Sequence, residues 1–392
     1  MIIAHLLLHN APSSAALPYH LANPGKLDHR AFSEPRHRRH ALRLSSVAAQ
    51  TLLATEAYAT PQPRRVVYPT EYGADPTGVA DSTASFVDAI AAVVALGGPT
   101  DAQHRINLGG ATLDLGGGVY SVSSQVHFPP GYANFAIKSG SLVARANFTS
   151  IPSGAPSWKT DTAYVFRIGG TSCNSTSGGE SNKNCNSDVS VQELTIDGGN
   201  IAFGGLLVED TMNVNVGPAV YVVGFQGVGI SLAGTGAGFI HESWLGQWQP
   251  GSKNVIDTAT AILLAGKQHD CDINNVIVWS GLVGVNTTNG ANRLQGVHTW
   301  NDAGANGGTG IRLHKGNGRV EQSYLDYAPL VIGCPGTTGY SAEIAMVEGN
   351  LFLGSSTIVL ESELPKQAAG SENSAGSIVS NLIISNNIFH TW

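Results

Sequence analysis

Short aliphatic strings recur along the second half of the chain, and their spacing constrains the fold more than any other feature. GISL (Gly229 to Leu232), AILL (Ala261 to Leu264), GVNT (Gly284 to Thr287), GIRL (Gly310 to Leu313), LVIG (Leu330 to Gly333) and TIVL (Thr357 to Leu360) form one series. With Ile230, Ile262, Val285, Ile311, Val331 and Ile358 as markers, the steps are 32, 23, 26, 20 and 27 residues. A second series lies between them: SWLG from Ser243, VIVW from Val276, GVHTW from Gly296, SYLDY from Ser323 and NLFLG from Asn350. Periods of this size indicate a solenoid. Each unit reads strand–turn–strand without a helix, so the predicted fold is an all-β parallel β-helix that stacks its coils over an aliphatic interior. Asn and Gly supply the tight corners, where positive φ is needed. Uneven steps mean loops of uneven length on one face, where a cleft would be built. A propeller needs blades of about 40 to 45 residues. A sandwich needs more hairpin signals than Asn289-Gly290 and Asp197-Gly198 provide.

One segment has the other period. Phe86, Ala89, Ile90, Val93 and Val94 form a single helical stripe, with Asp81 or Ser82 as N-cap and Gly97-Gly98-Pro99 as the stop. A solenoid end is an exposed sheet edge that needs cover, and a helix over 82–96 is placed to cap the N-terminal end. Order begins near residue 65. Residues 1–64 read as a leader outside the fold, and 65–392 as one β-helix domain. The last strand, SNLIISNNIF, carries no cap signal after it.

Charged residues are 12% of the chain, too few for a coiled coil or helical repeat, and Gly is 48 of 392. The hydrophobic share of 42% excludes disorder of the whole chain. Residues 1–65 carry eight Lys and Arg against three acids, so the rest of the chain is acidic, which argues against a nucleic-acid partner. The longest apolar run in the body, Ala89 to Leu96, is far short of the ~18 residues of a membrane span. No membrane partner is expected, and a monomer is. Cys173 and Cys185 flank CNSTSGGESNKNC, which is either a surface loop closed by a disulfide in an oxidising compartment or a loop with free thiols. Sequons stand at Asn147, Asn174 and Asn286. The expectation is a secreted glycoprotein with Cys173 bonded to Cys185.

The opening YGADPTGVADSTASF, a capping helix and then LDLGGGVYSVSSQVHFPP resemble the start of the pectate-lyase-like superfamily of right-handed β-helices. LTIDGG, SWLGQ, NNVIVWSGLVGVNTTNGANRLQGVHTWN, GTGIRLHKGNGRVEQSYLDY and NLFLGSSTIVL are similar to the plant QUARTET-type polygalacturonases, over about residues 64 to 389. The resemblance implies hydrolysis of α-1,4-galacturonan in pectin, in the cell wall. The NTD, DD, GHG and RIK motifs of the main polygalacturonase family do not stand here. The nearest pieces are Asp270 and Asp272 in HDCD, His298 in GVHTWND, and Arg312 with Lys315 in IRLHK.

Inverting glycoside hydrolysis uses two carboxyl groups roughly 6.5–9.5 Å apart. Residues i and i+2 of a strand share a face at about 6.5–7 Å, so Asp270 and Asp272 are the candidate catalytic pair. The other reading puts them in a solvated turn. On an unbroken strand they would share the face of Val276 and Val278, unless a corner at Asn274-Asn275 intervenes. His298, one coil later, completes the catalytic set or is satisfied in a turn. Arg312, Lys315 and Arg319 form a basic cluster suited to a uronate carboxylate or a solvated face. Glu321 and Asp326 are reserve acids. Trp244, Trp279, Trp300 and Tyr324 recur near the coil spacing, as an outward sugar platform or an inward ladder; Trp279 and Trp300 are the expected substrate contacts. No metal or cofactor is expected. Two other functions compete with hydrolysis: a pectate lyase, which abstracts the proton α to the uronate carboxylate, and a β-helix that binds wall polysaccharide without cutting it.

Overall fold

A computed structural model describes residues 65–148, 164–170, 185–247, 259–266, 269–279, 282–288, 290–300, 308–314, 318–334, 345–362 and 382–390. The expected leader, Cys173, Asn174 and Lys315 lie outside these residues.

The chain enters through the strand Val66–Val67, a turn at Pro69–Tyr72 and the strand Thr77–Asp81. The helix Thr83–Ala95 follows and buries Phe86, Ala89, Ile90 and Val93, the expected stripe. It closes the N-terminal end, with the Phe86 ring edge-on to Tyr120 at 5.3 Å. Ser82 is the N-cap residue but makes no side-chain bond to the helix. Its Oγ instead accepts the Asp75 N–H at 3.0 Å. The Asp75 carboxylate accepts the main-chain N–H groups of Thr77, Val79 and Ala80, which ties the DPTGVA loop into a knot before the helix.

Beyond the helix the chain winds as a right-handed parallel β-helix. The described strands form an 18-stranded and a nine-stranded sheet, and the ladders between successive coils are parallel. Each coil crosses three walls. Tyr132–Ala144, Asn186–Asp197, Gly236–Gly246 and Asp272–Trp279 bend at a shared corner residue of positive φ, Ser139, Glu193, Glu242 and Asn275, and the first three carry a second such residue near their start, Asn134, Asp188 and Ala237. Later coils place Gly296, Gln322, Gly349 and Asn386 at the same corner. The corner divides the larger sheet into a first wall before it and a second wall after it. The nine-stranded sheet is the third wall.

The corner at Asn275 is the break that the sequence required. Asp272 and Asn274 face outward before it, and Val276 and Val278 face inward after it, because one αL residue resets the two-residue alternation. A polar ladder runs inside the corner. Ser323 Oγ accepts the Val297 N–H at 3.1 Å, Asn350 Oδ1 accepts the Ser323 N–H at 2.8 Å, and Asn387 Oδ1 accepts the Asn350 N–H at 2.9 Å. Side chains thus satisfy main-chain groups that the bend takes out of the sheet ladder.

The interior is apolar on all three walls. On the third wall Ile230, Ile262, Val285, Ile311 and Leu330 stack in register and are buried. Four of these are the repeat markers. The fifth slips by one residue: Leu330 points inward, and Val331 pairs with the outward Arg312. At the far end the interior-row residues Ile384 and Phe389 are 47% and 48% exposed. No helix among the described residues is long and apolar enough to cross a membrane.

Candidate functional site

Chemistry-bearing side chains collect on the outer faces of the first and second walls, over the coils between Asn215 and Glu348. Register aligns them in rows with rungs about 4.8 Å apart. On the first wall one row reads Asn215, Phe239, Asp272, Arg293, Arg319. The row beside it reads His241, Asn274, Gln295, Glu321, Glu348. On the second wall the rows are Tyr221, Trp244, Ile277, His298, Tyr324 and Gly246, Trp279, Trp300, Asp326.

Arg293 is the hub of the first wall. Its Nε donates to Glu321 Oε2 at 3.1 Å, and its Nη1 lies 3.5 Å from Asp272 Oδ2. The guanidinium therefore spans carboxylates from the coil before it and the coil after it. Asp272 Oδ1 is buried and has no partner. A cleft of ≈ 280 Å³ opens on the other side of Asp272, lined by Asn215, Phe239, His241, Glu242, Asp272 and Asn274.

On the second wall Trp279 and Trp300 stack at 4.7 Å and 18°, in register on adjacent rungs. His298 Nε2 lies 3.3 Å from Asp326 Oδ2, and the His298 ring stands edge-on to Tyr324 at 4.5 Å. Burial first, and then the charge of Asp326, raise the Tyr324 hydroxyl above the usual phenol range. Asp326 Oδ1 is buried without a partner. Among the described residues no group of three or more His, Cys, Asp or Glu is placed to hold a metal ion.

From the candidate list the structure places Asp272 on the first wall with the reserve acid Glu321, and His298, Trp279 and Trp300 on the second wall with the reserve acid Asp326. It does not bring in Asp270 or Arg312. Asp270 is not on a strand: it has φ 57°, lies in the turn before Asp272–Trp279, and binds exposed His269 Nδ1 at 2.7 Å. The i, i+2 strand pairing of Asp270 with Asp272 is therefore absent. Arg312 stands on Thr309–Leu313 of the third wall, between Asn286 and Val331, away from the rows of Asp272 and His298. The aromatic series splits, because Trp244 and Tyr324 lie in one row and Trp279 and Trp300 in the other. Asn147 is exposed, whereas Asn286 is a strand residue whose Oδ1 is buried without a partner. Cys185 is buried and disulfide-bonded, its partner lying outside the described residues.

Arg293 was the residue that sequence reasoning missed. The signal was present in NRLQ, GRVE and AMVE, which place Arg293 and Arg319 26 residues apart and Gln295, Glu321 and Glu348 at steps of 26 and 27.

Over 323 residues the chain is 29% identical to polygalacturonase QRT3 of Arabidopsis thaliana. The resemblance to the QUARTET-type polygalacturonases stands. The match takes in 79% of this chain, which spans about 60% of that relative's length. No family model matches the chain. Among solved structures, the mannuronan C-5 epimerase AlgE6 A-module of Azotobacter vinelandii is similar at 14% identity and TM-score 0.49, over 82% of this chain and 86% of that one. PfbA, a surface adhesin of Streptococcus pneumoniae, is similar at 14% identity and TM-score 0.46, over 83% and 92%. At these scores neither bears on activity or substrate, and the fold rests on the strand register.

Proposed function

We propose that this protein is a polygalacturonase-type glycoside hydrolase that cuts α-1,4-galacturonan of pectin on the joined faces of the first and second walls. The likeness to a named polygalacturonase supports the substrate class. The observation that carries the site is Arg293 held between Asp272 and Glu321, one corner away from the stacked Trp279 and Trp300.

Asp272 and Glu321 lie two rungs and two residues apart, about 12 Å at the main chain, with side chains that converge on one guanidinium. That suits the wider carboxylate separation of inverting hydrolases, which leaves room for a water on the far side of the sugar. We assign Asp272 and Glu321 as the acid–base pair, one toward the leaving oxygen and the other toward water. Arg293 orients both. Trp279 and Trp300 offer an apolar face for sugar rings, and Asp326 holds His298 beside them. We extend the reading to a secreted, cell-wall location and a pectic polysaccharide partner, supported by the disulfide at Cys185.

The test is reducing-sugar release from polygalacturonate by the purified chain. Asp272→Asn and Glu321→Gln should each lower kcat by about 10² or more with unchanged thermal unfolding, as loss of general acid or base does. Full activity in both variants removes this pair. An unsaturated, ultraviolet-absorbing product makes the protein a lyase, and binding without cleavage makes it a polysaccharide-binding β-helix.

A further inference from the structure

The cleft beside Asp272 has its own chemistry. Its floor is the Phe239 ring, 39% exposed and in register between Asn215 and Asp272. Two amides, Asn215 and Asn274, and the His241 ring edge supply hydrogen-bonding groups around that floor. An exposed aromatic with convergent polar groups is the usual make-up of a small-molecule site, and ≈ 280 Å³ lies near the lower end of such pockets. The room is that of a single ring.

The electrostatics of the cleft are one-sided. Glu242, at the corner with φ 47°, and Asp272 both line it. None of its lining residues is Lys or Arg. The nearest guanidinium in the row, Arg293, is already shared between Asp272 and Glu321. Arg319, which is exposed, stands two rungs beyond Asp272 on the side away from the cleft. A free uronate in the cleft would face the Glu242 carboxylate, whereas the Asp272 carboxylate is paired with Arg293. At ~6 Å and a surface dielectric of about 40–80, the Glu242 charge weakens binding by about threefold to tenfold. A sugar without a charge loses nothing and keeps the aromatic floor.

We infer that this cleft is a subsite for an uncharged ring, namely a galacturonate whose carboxyl is methyl-esterified. The inference rests on the reading that the groove takes a pectic chain, and it makes partly esterified pectin the substrate. Phe239 and Glu242 set the preference, Phe239 by stacking and Glu242 by repelling the free acid.

Binding and cleavage are measured separately. Titration calorimetry in a Glu321→Gln background uses two probes, tetragalacturonate and its fully methyl-esterified form. The ester should bind about threefold to tenfold tighter than the acid. Phe239→Ala should weaken ester binding by about tenfold. Glu242→Gln should strengthen acid binding by about threefold to tenfold and leave the ester unchanged. Both side chains are exposed, so thermal unfolding should stay at the parent value. Equal binding of acid and ester, an ester affinity insensitive to Phe239→Ala, or no binding of either probe overturns the subsite. Reducing-sugar release from polygalacturonate and from partly esterified pectin is scored on the wild-type chain. Absent release with a retained ester preference overturns the proposed hydrolase and keeps the subsite. Release with no effect of either variant on binding overturns the subsite alone.

Discussion

Replacing Asn350 by Ala removes the middle rung of the corner ladder and should destabilise the solenoid as loss of a buried, hydrogen-bonded amide does. Asn350 is buried to 1% exposure and Ser323 to 2%. Its Oδ1 accepts the Ser323 N–H at 2.8 Å. Its Nδ2 donates to Val320 O at 2.9 Å and to Asn387 Oδ1 at 3.0 Å. Truncation leaves the Ser323 N–H buried without that partner, which costs about 1–3 kcal/mol. The Val320 carbonyl, with two lone pairs, adds a smaller cost. The expected loss is about 3 kcal/mol, read as a lower urea midpoint at an unchanged m-value. Asn387→Ala is the internal comparison. Asn387 accepts from Asn350 but is only half-buried, so water replaces part of what is lost and about 1 kcal/mol is expected. Loss of less than about 0.5 kcal/mol in Asn350→Ala, or a larger loss in Asn387→Ala, would refute the idea that buried side-chain rungs hold the corner.

Ala291 is exposed with φ 61°, so Ala291→Gly should relieve αL strain and raise the unfolding free energy by up to about 1 kcal/mol, read as a higher urea midpoint; a lower midpoint would contradict this. Main-chain N–H groups and the Thr77 hydroxyl, led by the Ala80 N–H, hold the Asp75 carboxyl at about 2, below its ordinary 3.8. A depressed folded value means the stabilisation is present above about pH 4 and is lost as pH falls toward 2. Melting temperature against pH should therefore fall less between pH 4 and 2 in Asp75→Asn than in wild type, and parallel curves would exclude the knot from acid sensitivity. Trp300→Ala should raise KM on polygalacturonate several-fold with kcat little changed, as loss of uniform binding does; a fall in kcat alone would take the Trp pair out of ring binding.

The steps between aliphatic strings, the helical stripe at Phe86 to Val93 and the Asn/Gly corners were enough to read a capped parallel β-helix, because burial periodicity is a local property of the chain. The resemblance carried the substrate class. The wall on which each residue stands was another matter. Asp272 and Arg312 are 40 residues apart and Asp272 and Glu321 are 49 apart, yet only the second pair shares a wall. A coil is a closed turn of uneven length, so a residue's wall depends on its phase within the coil, and unequal loops hide that phase. One αL residue, Asn275, decided that Asp272 faces solvent while Val276 does not. Register across three coils then set Arg293 between its two carboxylates, a contact between rungs about 4.8 Å apart in space and 21 and 28 residues apart in sequence. Local pattern determined that the chain would coil, and only the stacked coils decided which charges meet.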